Sequence, residues 1–176
     1  MPPTLAKSPG TMADDGSNGG YYTWPTVDNA KVSDNIYTAI SGRLSRISHY
    51  LKATNFGFAI PGGATVAGIL VEIEKKGTQN IYCICDFRVS IVKPDGTIGA
   101  TNKASVIDWP IADTYQSYGG SADKWGEVWT PAGINDVDFG VVLVAKFSSG
   151  TETASVDHIR ITIYYTEAPF AFGVNF

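Results

Sequence analysis

The sequence predicts an all-β chain folded as an antiparallel β-sandwich, with a jelly roll as the arrangement that suits it best. Three observations predict this. Hydrophobic residues make up 44% and aromatics 12%, against only 17% charged, so there is ample material for a core. Nineteen glycines and nine prolines break the chain at short intervals. Between the breaks run β-branched and aromatic stretches with a period of two, and no segment carries a convincing helical period. At 176 residues the chain suits one domain of ordinary size. Seven or eight strands with crossing loops fit two packed sheets.

Residues 1–20, with "ADDGSNGG", are rich in Pro, Gly, Ser and Asp and read as a flexible N-terminal arm. The sandwich domain is expected over 21–166. Residues 21–47 offer one short strand and a long connection around Trp24, Val27, Ile36, Tyr37 and Ile40. A helical turn within 36–47 is disfavoured by "TAISG". From residue 48 the strands are clear. "SHYLKATNFGFAI" alternates, and "PGGA" is a turn. "TVAGILVEIEKKG" sets Val66, Ile69, Val71 and Ile73 against polar residues. "NIYCICDFRVSIVK" puts Ile81, Cys83, Cys85, Phe87, Val89 and Ile91 on one face, and "PDG" at 94–96 is a hairpin turn. Residues 107–138 read as a long loop-like excursion. "FGVVLVAKFSS" and "ASVDHIRITIYYT" then close the domain. On the last strand Val156, His158, Arg160, Thr162 and Tyr164 face one way; Asp157, Ile159, Ile161, Ile163 and Tyr165 face the other.

A net charge of −4 and a pI near 5.0 argue against nucleic acid as a partner, because phosphates need a basic surface. Arg43, Arg46 and Lys52 come closest to a basic patch and are expected to be solvated. No apolar run reaches the length of about 18 residues that a membrane helix needs, so no membrane partner is expected. The start "MPPTLAKSPG" has no apolar stretch of the secretory kind. Cys83 and Cys85 are the only cysteines. On one strand face their Cα atoms lie about 6.6 Å apart, at about 3.3 Å per residue. Their parallel Cβ vectors make a mutual disulfide improbable. They read as two small buried hydrophobes in a chain made under reducing conditions.

No phosphate loop, zinc-protease motif or nucleophile elbow is present in the sequence. The only histidines are His49 and His158. His158 adjoins Asp157, but neighbours on a strand point to opposite faces and cannot form a dyad. A histidine satisfied by some other neighbour is expected. Neither an enzyme nor a cofactor or metal is expected. Asp108, Asp113, Asp123 and Glu127 could supply a carboxylate pair for glycoside hydrolysis or a calcium site, but a solvated acidic loop is the plainer reading. The excursion also holds Trp109, Tyr115, Tyr118, Trp125 and Trp129. Exposed rings stack on sugar faces and carboxylates accept sugar hydroxyls, so these five are candidate glycan-binding residues. Alternatively Trp109, Trp125 and Trp129 close one end of the sandwich, because so long a loop needs a small core of its own.

Four stretches in order carry a resemblance: "SPGTMADDGSNGGYYTWPTVDNAKVSDNIYTAI", "YLKATNFGFAIPGGATVAGILVEIEKKG", "YGGSADKWGEVWTPAGINDVDFGVVLVA" and "ASVDHIRITIYYT". Together, over roughly residues 8–166, they resemble small β-sandwich virion proteins of tailed bacteriophages. The piece "FAIPGGATVAGI" is also similar to strands of jelly-roll families on cell surfaces and in carbohydrate-binding modules. The resemblance implies a non-enzymatic structural protein located in the virion and made in the host cytoplasm. A capsid decoration (cement) protein that stabilises the head is the first form it implies. A tail or fibre component, or a carbohydrate- or receptor-binding module using 107–138, is the alternative. The implied partners are further copies of the chain as a trimer or dimer, the major capsid protein or other virion proteins, and a glycan under the alternative.

Residues 167–176, "EAPFAFGVNF", follow the last strand. Pro169 lacks an N–H and discourages extension as a central strand. Phe170, Phe172, Val174 and Phe176 share one face if the segment is extended. Each buried phenylalanine would add about 1.5–3 kcal/mol before ordering costs. The segment is therefore expected to be a docking tail for a neighbouring subunit.

Overall fold

A computed structural model describes residues 4–43, 45–78, 84–148 and 150–168. Eight strands run in chain order: β1 (Thr11–Asp15), β2 (Thr38–Gly42), β3 (Tyr50–Thr54), β4 (Thr65–Gly77), β5 (Ile84–Val92), β6 (Thr114–Gly120), β7 (Gly140–Phe147) and β8 (Glu152–Thr166). They form two four-stranded antiparallel sheets, ordered β1-β3-β7-β5 and β2-β8-β4-β6. Successive strands alternate between the sheets, so each connection crosses the sandwich, as jelly-roll winding requires. The predicted all-β sandwich is the fold observed.

The core lies between the sheets. Val66, Ile69, Val71 and Ile73 of β4 meet Ile159, Ile161 and Ile163 of β8 on one side. Leu51, Val141, Leu143, Phe147, Val89 and Ile91 supply the other. β7 is buried on both faces, which explains its unbroken apolar run "GVVLVA". Its outward Val142 and Val144 join Tyr50 and Val92 in a small second cluster, capped by Ile47 and Ile98. Gly140 opens β7 because a Cβ there would sit 1.9 Å from the carbonyl oxygen of Ala53.

Of the three register shifts in the ladders, two overturn an expected face. Between β5 and β7 the pairing slips at Phe87, so Ile84 and Asp86 share the core face with Val89 and Ile91. The expected face of Cys85, Phe87, Val89 and Ile91 is therefore corrected: Phe87 is 48% exposed, and Cys85 is only partly buried, its thiol pushed up chiefly by burial. Ile81 and Cys83 lie outside the described residues. Between β4 and β8 the slip falls at Asp157, so Val156 points into the core rather than sharing a face with His158. A bulge inserts one residue and thereby inverts the alternation beyond it.

The ends of the chain also differ from expectation. Residues 4–20 are not a free arm. Lys7 exchanges backbone hydrogen bonds with Ile161 at 2.8 and 2.9 Å, Thr4 N–H donates to Ile163 O at 2.8 Å, and β1 pairs along β3. The arm thus covers the stretch of β8 that β2 leaves unpaired, which protects an open edge. Residues 98–109 do the same for β5. Gly99, Lys103 and Trp109 donate to Ile91, Val89 and Ile84, and Ser105 O accepts from Asp86 N–H. The "PDG" turn that starts this return is a hairpin turn, with Gly96 N–H donating to Lys93 O at 2.8 Å. The rest of the excursion is less irregular than expected. It contains β6 and a short helix, α1 (Pro131–Asn135), whose N-cap Thr130 accepts from Gly133 N–H and whose Pro131 fits the first turn. The segment 36–47 contributes β2, not a helical turn. The docking-tail residues Phe170, Phe172, Val174 and Phe176 lie outside the described residues.

Candidate functional site

Two groups of polar side chains stand out, one inside the sandwich and one on its surface. The inner group begins with Lys75. It follows Ile73 by two residues on β4, so the strand period alone turns it into the core. Asp86 follows Ile84 by two on β5 and meets it from the opposite sheet. Both side chains are 0% exposed, and Lys75 Nζ donates to Asp86 Oδ1. Trp109 Nε1–H donates to the same oxygen at 2.8 Å. Tyr118 Oη donates to Asp86 Oδ2 at 2.7 Å and accepts from Lys75 Nζ at 2.6 Å, and Ser105 N–H reaches Oδ2 at 3.1 Å. Lys75 Nζ also lies 4.5 Å from the Trp109 ring centroid. Burial pulls the Lys75 ammonium down to about 8, against the pull of Asp86. Burial and Asp86 together push the Tyr118 hydroxyl up. Every polar atom of this group has a partner, which a buried ion pair requires.

The surface group lies on the outer face of the β2-β8-β4-β6 sheet. Glu72 pairs with Arg160, and Glu74 with His158, across β4 and β8, while Tyr115 on β6 stands beside Glu74. Arg160 holds Glu72 with both fork nitrogens, Nε to Oε2 at 2.9 Å and Nη2 to Oε1 at 3.0 Å. Its guanidinium carbon sits 4.0 Å from the Tyr115 ring centroid. Tyr115 Oη shares a hydrogen bond with His158 Nδ1 at 2.7 Å, and Ser8 Oγ shares one with Nε2 at 2.8 Å. His158 is thus the satisfied strand histidine the sequence implies, and it makes no dyad with Asp157. Burial, then the charge of Arg160, holds its imidazole below the usual range.

That shift has a sign. The unfolded imidazole takes up its proton near pH 6.5, and the folded one does so only at lower pH. Folding stability from this group is therefore complete above that pH and falls as the solution is acidified through it. Between about pH 8 and about pH 5, the melting temperature of His158→Asn should fall less than that of the wild type. Equal slopes would mean that His158 titrates freely in the fold.

The five aromatic candidates divide. Trp109, Tyr118 and Trp125 are buried at 1%, 4% and 1% exposure, where a sugar cannot reach them. Trp125 Nε1–H donates to Ile69 O at 3.0 Å, and Trp129 packs edge-on against Phe139 while donating to Lys124 O. Trp109 and Trp125 are core side chains, not an exposed platform. Only Tyr115 and Trp129 keep part of their rings at the surface. Of the excursion's carboxylates, Asp113 binds the Tyr37 hydroxyl and Lys76, and Asp123 binds Lys103 and the Trp125 N–H. Among the described residues no three His, Cys, Asp or Glu side chains are grouped to hold a metal ion. Sequence reading missed Lys75, Asp86, Glu72 and Arg160. For Lys75 the signal was present, two residues beyond Ile73. For Asp86 the bulge hid it.

No protein-family model matches the chain, and no curated protein matches it. Two solved structures resemble it. One, described as "CBM4 structure and function", is 11% identical, covers 89% of this chain and 91% of its own, and has a TM-score of 0.38. The other, described as "Prominent members of the human gut microbiota express endo-acting O-glycanases to initiate mucin breakdown", is 9% identical, covers 92% and 96%, and has a TM-score of 0.35. Likenesses this faint bear on neither ligand nor activity, so the residues of the two polar groups carry the functional reading.

Proposed function

We propose that the chain is a non-catalytic recognition module that binds carbohydrate along the outer face of the β2-β8-β4-β6 sheet. The observation that carries this is the strip of Tyr115, Arg160 and Glu72, with Arg160 and Glu72 locked together and the ring stacked on the guanidinium. An aromatic ring offers an apolar face to a pyranose, and a carboxylate–guanidinium pair offers an acceptor and donors to its hydroxyls. The site shifts from the whole 107–138 excursion to its one aromatic residue on this sheet face, Tyr115.

Retention on a panel of bacterial surface polysaccharides tests the proposal. Tyr115→Ala should weaken retention by about 2 kcal/mol, the scale of an aromatic anchor, while Trp129→Ala leaves it unchanged. A wild-type chain that no glycan retains, or a Tyr115→Ala variant that binds as well as the wild type, would overturn it.

A second reading, an assembly role in a tailed-phage particle as a cement, tail or fibre protein, is favoured by a different observation. Val106, Ile107 and Val128 are 87%, 74% and 94% exposed, apolar side chains that a neighbouring subunit could cover. Self-association, measured by sedimentation, and co-sedimentation with purified heads or tails separate this reading from the first.

A further inference from the structure

We propose that Lys75 and Asp86 join covalently, through an intramolecular amide between Nζ and Cγ that staples the two sheets together. The two side chains approach from opposite sheets, are fully buried, and touch. Water, which drives amide formation backwards in solution, has no access to either. The charged pair itself contains what the condensation needs. Nζ attacks Asp86 Cγ, an N–C bond forms, and the C–Oδ1 bond breaks. The three ammonium protons divide: one stays on the amide nitrogen and two leave with Oδ1 as water. Nothing is oxidised or reduced, and no co-reactant is required.

The surrounding groups fit the steps. Attack needs the amine without its extra proton, and desolvation favours that form. As the tetrahedral centre forms, charge collects on Oδ2, which already faces two donors, Tyr118 Oη at 2.7 Å and Ser105 N–H at 3.1 Å. Donors aimed at a developing oxyanion in a dry site are the arrangement that lowers such barriers. Tyr118 Oη also touches Lys75 Nζ at 2.6 Å and so can pass a proton between the two partners. Trp109 Nε1–H points at Oδ1, the departing oxygen. The linked form closes a short loop from β4 to β5.

Intact-mass measurement of the purified, denatured full chain tests this directly. The expected mass is lower than that of the sequence by one water, and Asp86→Ala should show the full mass of its own sequence. Fragmentation should then yield a branched peptide joining residues 75 and 86. A wild-type mass equal to the sequence overturns the proposal. So does a lost water that maps to cyclisation at Asp15–Gly16 or Asp95–Gly96, the two Asp-Gly steps of the chain. The result is independent of whether the outer face binds glycan.

Discussion

Asp86→Ala is expected to destabilise the folded chain by about 3–5 kcal/mol, because it leaves the Lys75 ammonium buried with no counter-charge. In a chain of this size each kcal/mol moves the melting temperature by about 2–4 °C, so a drop of order 10 °C should be seen by calorimetry. The loss is not confined to one contact. Lys75, Trp109 and Tyr118 all direct polar atoms at this carboxylate, and each loses that acceptor in a core closed to solvent. A matched experiment separates the worth of the pair from the cost of breaking it. The double variant Lys75→Met with Asp86→Leu restores an apolar core of similar volume and should recover most of the loss. It should still stop short of the wild type, because Trp109 Nε1–H, Tyr118 Oη and Ser105 N–H lose their acceptor; a covalent link would widen the gap, since a closed loop also restrains the unfolded chain. An Asp86→Ala variant within about 1 kcal/mol of the wild type would show that the cluster relaxes or hydrates freely.

The contrast between what the sequence revealed and what it concealed has a physical basis. β4, β7 and β8 were legible as strands because each is long and apolar: β7 as an unbroken run, β4 and β8 with stretches that alternate on a period of two. β1 was not, since "TMADD" has weak strand character and forms only because β3 offers it a partner. β6, "TYQSYGG", hides in the same way beside β4. The faces of β5 and β8 were misread for another reason. Nothing local in "CDFR" or "SVDHI" announces a bulge, yet each bulge reverses every assignment on its far side. Asp86 and Val156 therefore moved to the core, and Phe87 to the surface. The candidate site suffered most, because composition drew the eye to the acidic, aromatic excursion. Its tryptophans were abundant for the sake of packing, whereas the surface strip takes Glu72 and Arg160 from long strands where charged residues look unremarkable.

Trp125→Ala is expected to cost about 3–5 kcal/mol, the range for removing a large buried ring, and to leave any glycan affinity of the folded protein unchanged. The ring is 1% exposed, and its Nε1–H donates to Ile69 O in the middle of β4. Gly119 is shaped to it: a Cβ at that position would stand 2.6 Å from Trp125 Nε1. Lys103 lies 5.2 Å from the ring centroid and bonds Asp123 at 2.6 Å, so the same tryptophan also anchors the chain that follows β6. Trp129→Ala should be milder, because that ring is only partly covered and rests on the edge of Phe139. Chemical denaturation of both variants, with polysaccharide retention measured at a temperature where each is folded, gives two independent readouts. If Trp125→Ala keeps its stability and loses retention, the ring is a ligand platform after all and the end of the sandwich opens in solution. If stability falls and retention holds, the aromatic residues of the excursion divide by role: Trp125 shuts the core, and Tyr115 alone is left to meet a sugar.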